Sequence, residues 1–364
     1  MEKTNVNCKN SELISILNTH FKGKVNLARI KLISFFIIAL IKVQTVNFEK
    51  LSHAFDTKTK SASSLRRIQG FIAGYGFDSN LIAHLVFNLL PKQDKYMLSM
   101  DRTNWKFGKT NINIFMLGIV YKGVAFPLLF SMLPKRGNSN SQERIDLINR
   151  FGNLFGFDII DAIVADREFV GDKWFEYLNK NQIRYYIRIR KNFKVFLPHK
   201  NKVIKAFRLF DKFKVNEFTF HPNPVRVNGQ LCYISGAKLD IKNNKREYLI
   251  IVSFDKPENA QELYKQRWQI EMTFKAMKSS GFDIEKTHLQ DIERLEKLVL
   301  LVMIAFVWAY KVGIYLHEKE PILIKKHGRK AKSIFKYGLS YLAKVFLNTQ
   351  YQNEIEIFKF LSCT

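Results

Sequence analysis

YMLSMDRTNW, residues 96–105, is followed by INIFMLGIVYKG (112–123) and VAFPLLFSML (124–133). All three runs are apolar and rich in β-branched and aromatic side chains, and a tight Tyr-Lys-Gly turn joins the second to the third. They read as three consecutive strands, the first ending at Asp101. The period then changes. A helix is expected from about Ser141 to Phe155, with Ser139 or Ser141 as N-cap, then a short buried strand in DAIVADR (161–167). GDKWFEYLNKN (171–181) reads as a helix and RYYIRIR (184–190) as another strand.

Three antiparallel strands followed by alternating helix and strand is the element order of a ribonuclease H-like core. Upstream, from Ser11 to Leu90, apolar residues recur every three or four positions, as in Leu13, Ile16 and Leu17, which predicts a small helical bundle. Its basic stretch SASSLRRIQGFIAGYG is a candidate reading helix. Downstream, residues 191–246 lose the alternation and carry turn signals such as HPNP and NG, which predicts a β-rich insertion. YLIIVSF then resumes a buried strand, NAQELYKQRWQIEMTFKAMKSSG reads as one long helix, and helices fill the remainder, with a basic stretch KKHGRKAKSIFK at 325–336. The expected class is α/β, with a ribonuclease H-like core in two parts (93–190 and 247–290) and the insertion (191–246) between them. An N-terminal helical, DNA-binding domain (1–92) precedes the core, and a C-terminal helical region (291–364) follows it.

Lys plus Arg number 59 against 32 Asp plus Glu in 364 residues, a formal charge of +27. Such an excess favours a polyanionic partner, because each phosphate contact releases condensed counterions. Nucleic acid leads, since the basic residues run through the whole chain, whereas a membrane-surface protein concentrates them in one amphipathic helix or tail. Cys8, Cys232 and Cys363 show no ligand or CxxC spacing and read as reduced thiols. The start, MEKTNVNCKN, lacks a secretory pattern, and the apolar runs Ile33 to Ile41 and Leu298 to Tyr310 fall short of the ~20 residues that span a bilayer. A cytoplasmic location without membrane insertion is expected.

Within YKQRWQIEMTFKAMK (264–278), helical spacing brings Tyr264, Arg267, Glu271 and Lys278 within roughly 60° of one another. A carboxylate between two cations and a phenol is unsuited to a core stripe. Taken alone, the three charges also fit ion pairs on a solvated helix. Two further acids shift the balance: Asp101 and Asp166 each end an apolar strand, where an acid costs desolvation energy unless a cation compensates it. Asp101, Asp166 and Glu271 form an oxygen-only ligand set suited to Mg²⁺ or Mn²⁺, two ions roughly 3.5–4 Å apart in an in-line displacement at phosphorus. Glu168 is a lesser candidate for the site, while Asp161 and Asp172 read as turn or cap residues.

The spacing Y-x2-R-x3-E-x6-K, together with MDRTNW and ADREF, resembles the DDE transposases of bacterial insertion sequences, in particular the insertion sequence 4 family. The resemblance covers roughly residues 95–290 and implies a ribonuclease H-like catalytic domain interrupted by a β-strand insertion before the glutamate. It implies Asp101, Asp166 and Glu271 as the catalytic, metal-binding triad, and Tyr264, Arg267 and Lys278 as contacts to phosphates at the cleaved element end. Related enzymes excise their element through a hairpinned end, with a flipped base resting on a tryptophan of the insertion. This insertion contains no Trp, so that role is unassigned, with Phe193, Phe196 and Phe207 as the aromatic alternatives.

From Arg184 to Lys214 there are eleven Lys or Arg against one acid, interleaved with aromatics, a composition suited to a DNA groove or to one buried strand face with solvated cations. Arg188 and Arg190, on one face of the strand beside Asp166, are the DNA-binding candidates. Trp105 and Trp268 are expected to wall the site, and His288 to be structural. The expected activity is Mg²⁺-dependent cleavage of double-stranded DNA at terminal inverted repeats and joining of the ends to target DNA. It would be carried out by a homodimer in the bacterial cytoplasm, associated with the nucleoid when bound. The alternatives are a metal-dependent nuclease on the same core, or a catalytically inactive, transposase-derived DNA-binding protein.

Overall fold

A computed structural model describes residues 2–241, 245–348 and 355–362, which leaves Cys363 outside the described residues. Five helices come first: α1 (Glu2–Phe21), α2 (Leu27–Val43), α3 (Phe48–His53), α4 (Ser61–Gly74) and α5 (Ser79–Asn88). Next come β1 (Tyr96–Phe107), β2 (Thr110–Tyr121), β3 (Val124–Met132), α6 (Ser141–Phe155), β4 (Ile160–Ala165), α7 (Asp172–Lys180) and β5 (Tyr185–Arg188). β6 (Lys194–Leu197), β7 (Lys202–Lys205), β8 (Thr219–Phe220), β9 (Val225–Val227), β10 (Gln230–Ile241) and β11 (Lys245–Ser253) follow. The last helices are α8 (Ala260–Lys265), α9 (Trp268–Lys278), α10 (Ile292–Lys319) and α11 (Ile334–Leu347).

The chain forms two compact units, one of Met1–Lys92, Trp105–Ile112 and Thr273–Thr364, the other of Gln93–Asn104 and Asn113–Met272. The first is helical. α10 is its spine, 28 residues long and apolar enough by composition to cross a membrane, but 83% of its most apolar stretch is buried against the rest of the unit. It is therefore a core helix, and longer than the apolar run Leu298 to Tyr310 predicts, because polar turns extend it at both ends. Each fully buried Leu, Ile or Phe on it contributes roughly 1.5–3 kcal/mol. α11 crosses it at a glycine pair: a Cβ on Gly338 would lie 1.9 Å from the Ala309 carbonyl oxygen, and one on Gly313 would lie 2.0 Å from that of Ile334. Only glycine permits so close an approach.

The second unit holds a large mixed sheet with flanking helices. Strand order is β3-β2-β1-β4-β5-β11-β10-β9-β6-β7, with β8 paired to β10. β2 and β3 are antiparallel, β1, β4 and β5 run parallel, and β11 returns antiparallel on β5. The β2–β3 turn carries Lys122 (φ 44°) and Gly123 (φ 91°), and the β9–β10 turn Asn228 (φ 51°) and Gly229 (φ 76°). Positive φ at both central residues matches the right-handed twist of hairpin strands, which is why Lys-Gly and Asn-Gly stand there.

Three local expectations change. β1 does not end at Asp101 but continues to Phe107, its burial giving way from Asp101 onward. The α6 cap is Asn140 rather than Ser139 or Ser141: its side chain accepts from the Glu143 N–H while Glu143 reaches back to the Asn140 N–H, a complete capping box. The expected single helix from Asn259 is two helices, α8 and α9, separated at Gln266–Arg267, where i→i−3 bonds (Gln266 N–H to Leu263 O at 3.1 Å, Arg267 N–H to Tyr264 O at 3.0 Å) tighten the chain.

Candidate active site

The register of the parallel strands builds the site. Met100 of β1 pairs with Ala165 of β4, and Ala165 with Ile187 of β5. The next residues, Asp101, Asp166 and Arg188, therefore stand abreast on three neighbouring strands about 5 Å apart. α8 packs over the same face through Ala260 and Tyr264, against Ala162, Val164, Tyr186 and Ile251. This brings Tyr264 to Asp166, where its hydroxyl donates to Oδ1 at 3.3 Å. Burial holds the phenol well above its usual range, so it stays a neutral donor.

Arg267 occupies the turn between the two helices and is buried. Ser99 Oγ donates to its carbonyl at 3.4 Å, tying the turn to β1. Its guanidinium joins two acids, with Nη2 2.6 Å from Glu271 Oε1 and Nη1 3.5 Å from Asp101 Oδ2. Burial opposes its charge, but Tyr264, Glu271 and Asp166 outweigh that and raise its pKa. Burial pushes the Asp101 carboxyl up to about 7; the Arg102 N–H and the Arg267 guanidinium pull it down, and the carboxylates of Glu168 and Glu271 push it further up. Each group thus senses its neighbours, so Asp101, Asp166, Glu271, Tyr264 and Arg267 make one electrostatic cluster. Among the described residues no three acid, imidazole or thiol side chains close to within metal-sharing distance. The guanidinium is the cation that Asp101 and Glu271 share.

The loop after Asp166 is held by two arginines that sequence reasoning missed. Arg102 makes a forked pair with Glu168, at 3.3 and 3.2 Å, and donates to Asn113 Oδ1 at 3.0 Å. Arg144 of α6 is buried, donates to the Glu168 and Val170 carbonyls at 2.9 and 3.4 Å, and lies over the Phe169 ring. Burial pulls its pKa down to about 10, which leaves it charged at neutral pH. The available signal was a charge among Leu147, Ile148 and Phe151 on an otherwise apolar helix stripe. Glu168 thus faces Arg102, Asp161 pairs with Arg184 at 2.8 Å, and Asp172 opens α7.

The other candidates divide. Arg188 Nη2 lies 2.6 Å from Glu247 Oε1. Together with Arg167, Arg190, Lys191 and Tyr248 the pair lines a cavity of about 480 Å³. Arg167, Arg190 and Lys191 are exposed there. Lys278 pairs with Glu285, and its ammonium lies 5.4 Å over the Trp105 ring. Trp268, expected to wall the site, is 58% exposed, because the turn at Gln266–Arg267 rotates it outward; Arg267 lies 5.8 Å over its ring. His288 packs beside Phe107, 5.2 Å between ring centres.

Asp101 within β1, Asp166 just after β4 and Glu271 on α9 are thus drawn from three separate elements. The family model of the transposase DDE domain matches residues 92–308, more than half of the chain, and the protein belongs to that family. Comparison with curated proteins finds no match. Membership makes the protein a transposase of the DDE kind. The family implies DNA as substrate, nuclease or transesterase chemistry, and divalent metal ions.

Proposed function

We propose that the protein is an insertion-sequence transposase of the insertion sequence 4 type, with Asp101, Asp166 and Glu271 as its catalytic acids. In this reading it binds the terminal inverted repeats of its element, cuts them and joins the ends to target DNA. The sheet order β3-β2-β1-β4-β5, antiparallel and then parallel, supports a ribonuclease H-like core, with the strands from β6 to β10 inserted before the glutamate helix. The observation that carries the reading is the register that sets Asp101 beside Asp166, with Arg267 linking Asp101 to Glu271.

By its chemistry the donor set suits a hard divalent cation, all oxygen and acidic, with Asp101 held up to about 7 by burial and neighbouring acids, although here the Arg267 guanidinium stands between Asp101 and Glu271. Asp101, Asp166 and Glu271 would hold Mg²⁺ or Mn²⁺, which when bound supplies Lewis-acid stabilisation of charge at phosphorus. The protein's own groups do the rest. Arg267 neutralises Asp101 and Glu271 in the free enzyme, and its planar donors suit a phosphate equally. Tyr264, neutral and buried, fixes the Asp166 carboxylate. Lys278, Arg188 and Arg190 contact DNA phosphates, Arg188 in exchange for Glu247. Joining two ends requires two active sites, so the DNA complex is a homodimer.

The test uses purified protein, Mg²⁺ and duplex carrying the element's end. Asp101→Asn, Asp166→Asn and Glu271→Gln should each lower strand cleavage by at least about 10³-fold while keeping DNA binding. Cleavage at the parental rate in any of the three overturns the triad.

A further inference from the structure

The basic stretch 325–336 plays no part in the chemistry above, yet it is a built feature. After α10, residues 323–331 fold into a short β-ribbon. Ile324 and Lys330 form an antiparallel bridge, the Lys325 N–H donates to the Arg329 carbonyl and the Ala331 N–H to the Leu323 carbonyl, each at 2.8 Å. Gly328, in the left-handed region at φ +78°, closes the turn with its N–H 2.8 Å from the Lys325 carbonyl. The base is anchored by Ile322, which is buried and whose N–H donates to His317 Nδ1 at 2.9 Å.

Every residue from Leu323 to Ser333 is exposed, including Leu323 at 74% and Ile324 at 65%. Lys325, Lys326, Arg329, Lys330 and Lys332 surround these two aliphatic side chains, and no acid occurs between Glu320 and Glu354. A turn braced by one bridge and its backbone bonds thus carries apolar side chains into solvent among five cations that form no ion pair among the described residues. We propose that residues 323–332 are a DNA-contacting ribbon that enters a groove of the duplex. Its cations neutralise flanking phosphates, and Leu323 and Ile324 lie against sugars and base edges. A two-stranded ribbon fits the major groove, and apolar wedges beside basic residues are a known means of engaging duplex DNA. A lipid surface is the weaker match, since membrane-surface binding draws on a long amphipathic helix rather than a nine-residue turn. The proposal rests on DNA being the substrate and is independent of the roles given to the carboxylates.

The test is made with the full chain in chelator, without turnover, so it stands whether or not the triad catalyses. Binding to a random-sequence duplex of roughly 30 base pairs is followed by fluorescence anisotropy from about 50 to 200 mM salt. Lys325→Gln/Lys326→Gln/Arg329→Gln should weaken binding about tenfold or more and reduce the log–log salt slope by about 2 to 3. Leu323→Ser/Ile324→Ser should weaken it several-fold with the slope unchanged. Both variants alter exposed side chains only, so their melting temperatures should equal the parent's. Parental affinity and slope in both variants overturn the proposal. So does capture of the parent on phosphatidylserine vesicles that the triple variant loses while its duplex binding is unchanged.

Discussion

The acidic cluster, on β1, after β4 and on α9, and the basic cavity at the end of β5 lie on the same sheet, and they treat charge in opposite ways. At Asp101 and Arg267 the charges are largely withdrawn from water, Glu271 beside them is a third exposed, and each is compensated by a named neighbour. At the cavity, Arg167, Arg190 and Lys191 face solvent, and among the described residues it is Arg188 that is neutralised, by the half-exposed Glu247. Buried charge is preorganised: its geometry is fixed before a ligand arrives, and removing one member leaves the others stranded. Exposed charge acts through the field it sends into solvent, which salt screens. The first arrangement suits chemistry at one phosphorus atom, the second the holding of a strand.

The sharpest way to break this contrast is Arg267→Ala. It leaves Asp101 without its cation in a largely buried site and should cost about 2–3 kcal/mol in urea unfolding without metal, with Asp101→Asn in the same chain restoring much of the loss. A cost below about 1 kcal/mol would mean that water already screens the pair, and the distinction would fall.

A smaller effect comes from a titratable group buried without a cation. Burial pushes the Cys232 thiol up to about 12, against an ordinary value of 9.0, so the unfolded chain ionises first. Its contribution is fully present below about pH 9 and is lost as pH rises toward 12, the loss amounting to about 1.4 kcal/mol at pH 10. Stability measured at pH 8 and pH 10 should show that loss in the parent, and Cys232→Ala should remove its share of the slope.

The smallest effect should be at the cavity. Arg190→Gln should leave stability within about 0.5 kcal/mol of the parent, weaken duplex binding a few-fold, and lower the salt slope by about 1. Loss of stability there would show that the cavity, like the acidic cluster, is a structural ion network.

What the sequence made legible follows from how local each signal is. Asp101 and Asp166 stand out because a short, largely apolar run precedes each, YMLSM and AIVA, and a sheet that pairs those runs must bring the acids together. The Tyr-Lys-Gly and Asn-Gly turns are legible for the same local reason. The continuation of β1 through TNWKF is not, since its polar residues carry no burial signal. Nor is the break at Gln266–Arg267, where no Gly or Pro marks it and the contacts that stabilise it, such as Ser99 to Arg267, span 168 residues. Pairings like Arg188 with Glu247 or Arg102 with Glu168 depend on which strands neighbour each other, which periodicity does not encode. The family was legible in the spaced motifs at 96–105, 161–167 and 264–278, while the charge of Arg144 within an apolar stripe gives no hint of the loop that it holds.

The turn at Gln266–Arg267 has a mechanical consequence. Since the i→i−3 bonds there interrupt the helical ladder, Glu271 does not inherit its direction from the helix that carries Tyr264; it is fixed instead by its own ion pair with Arg267.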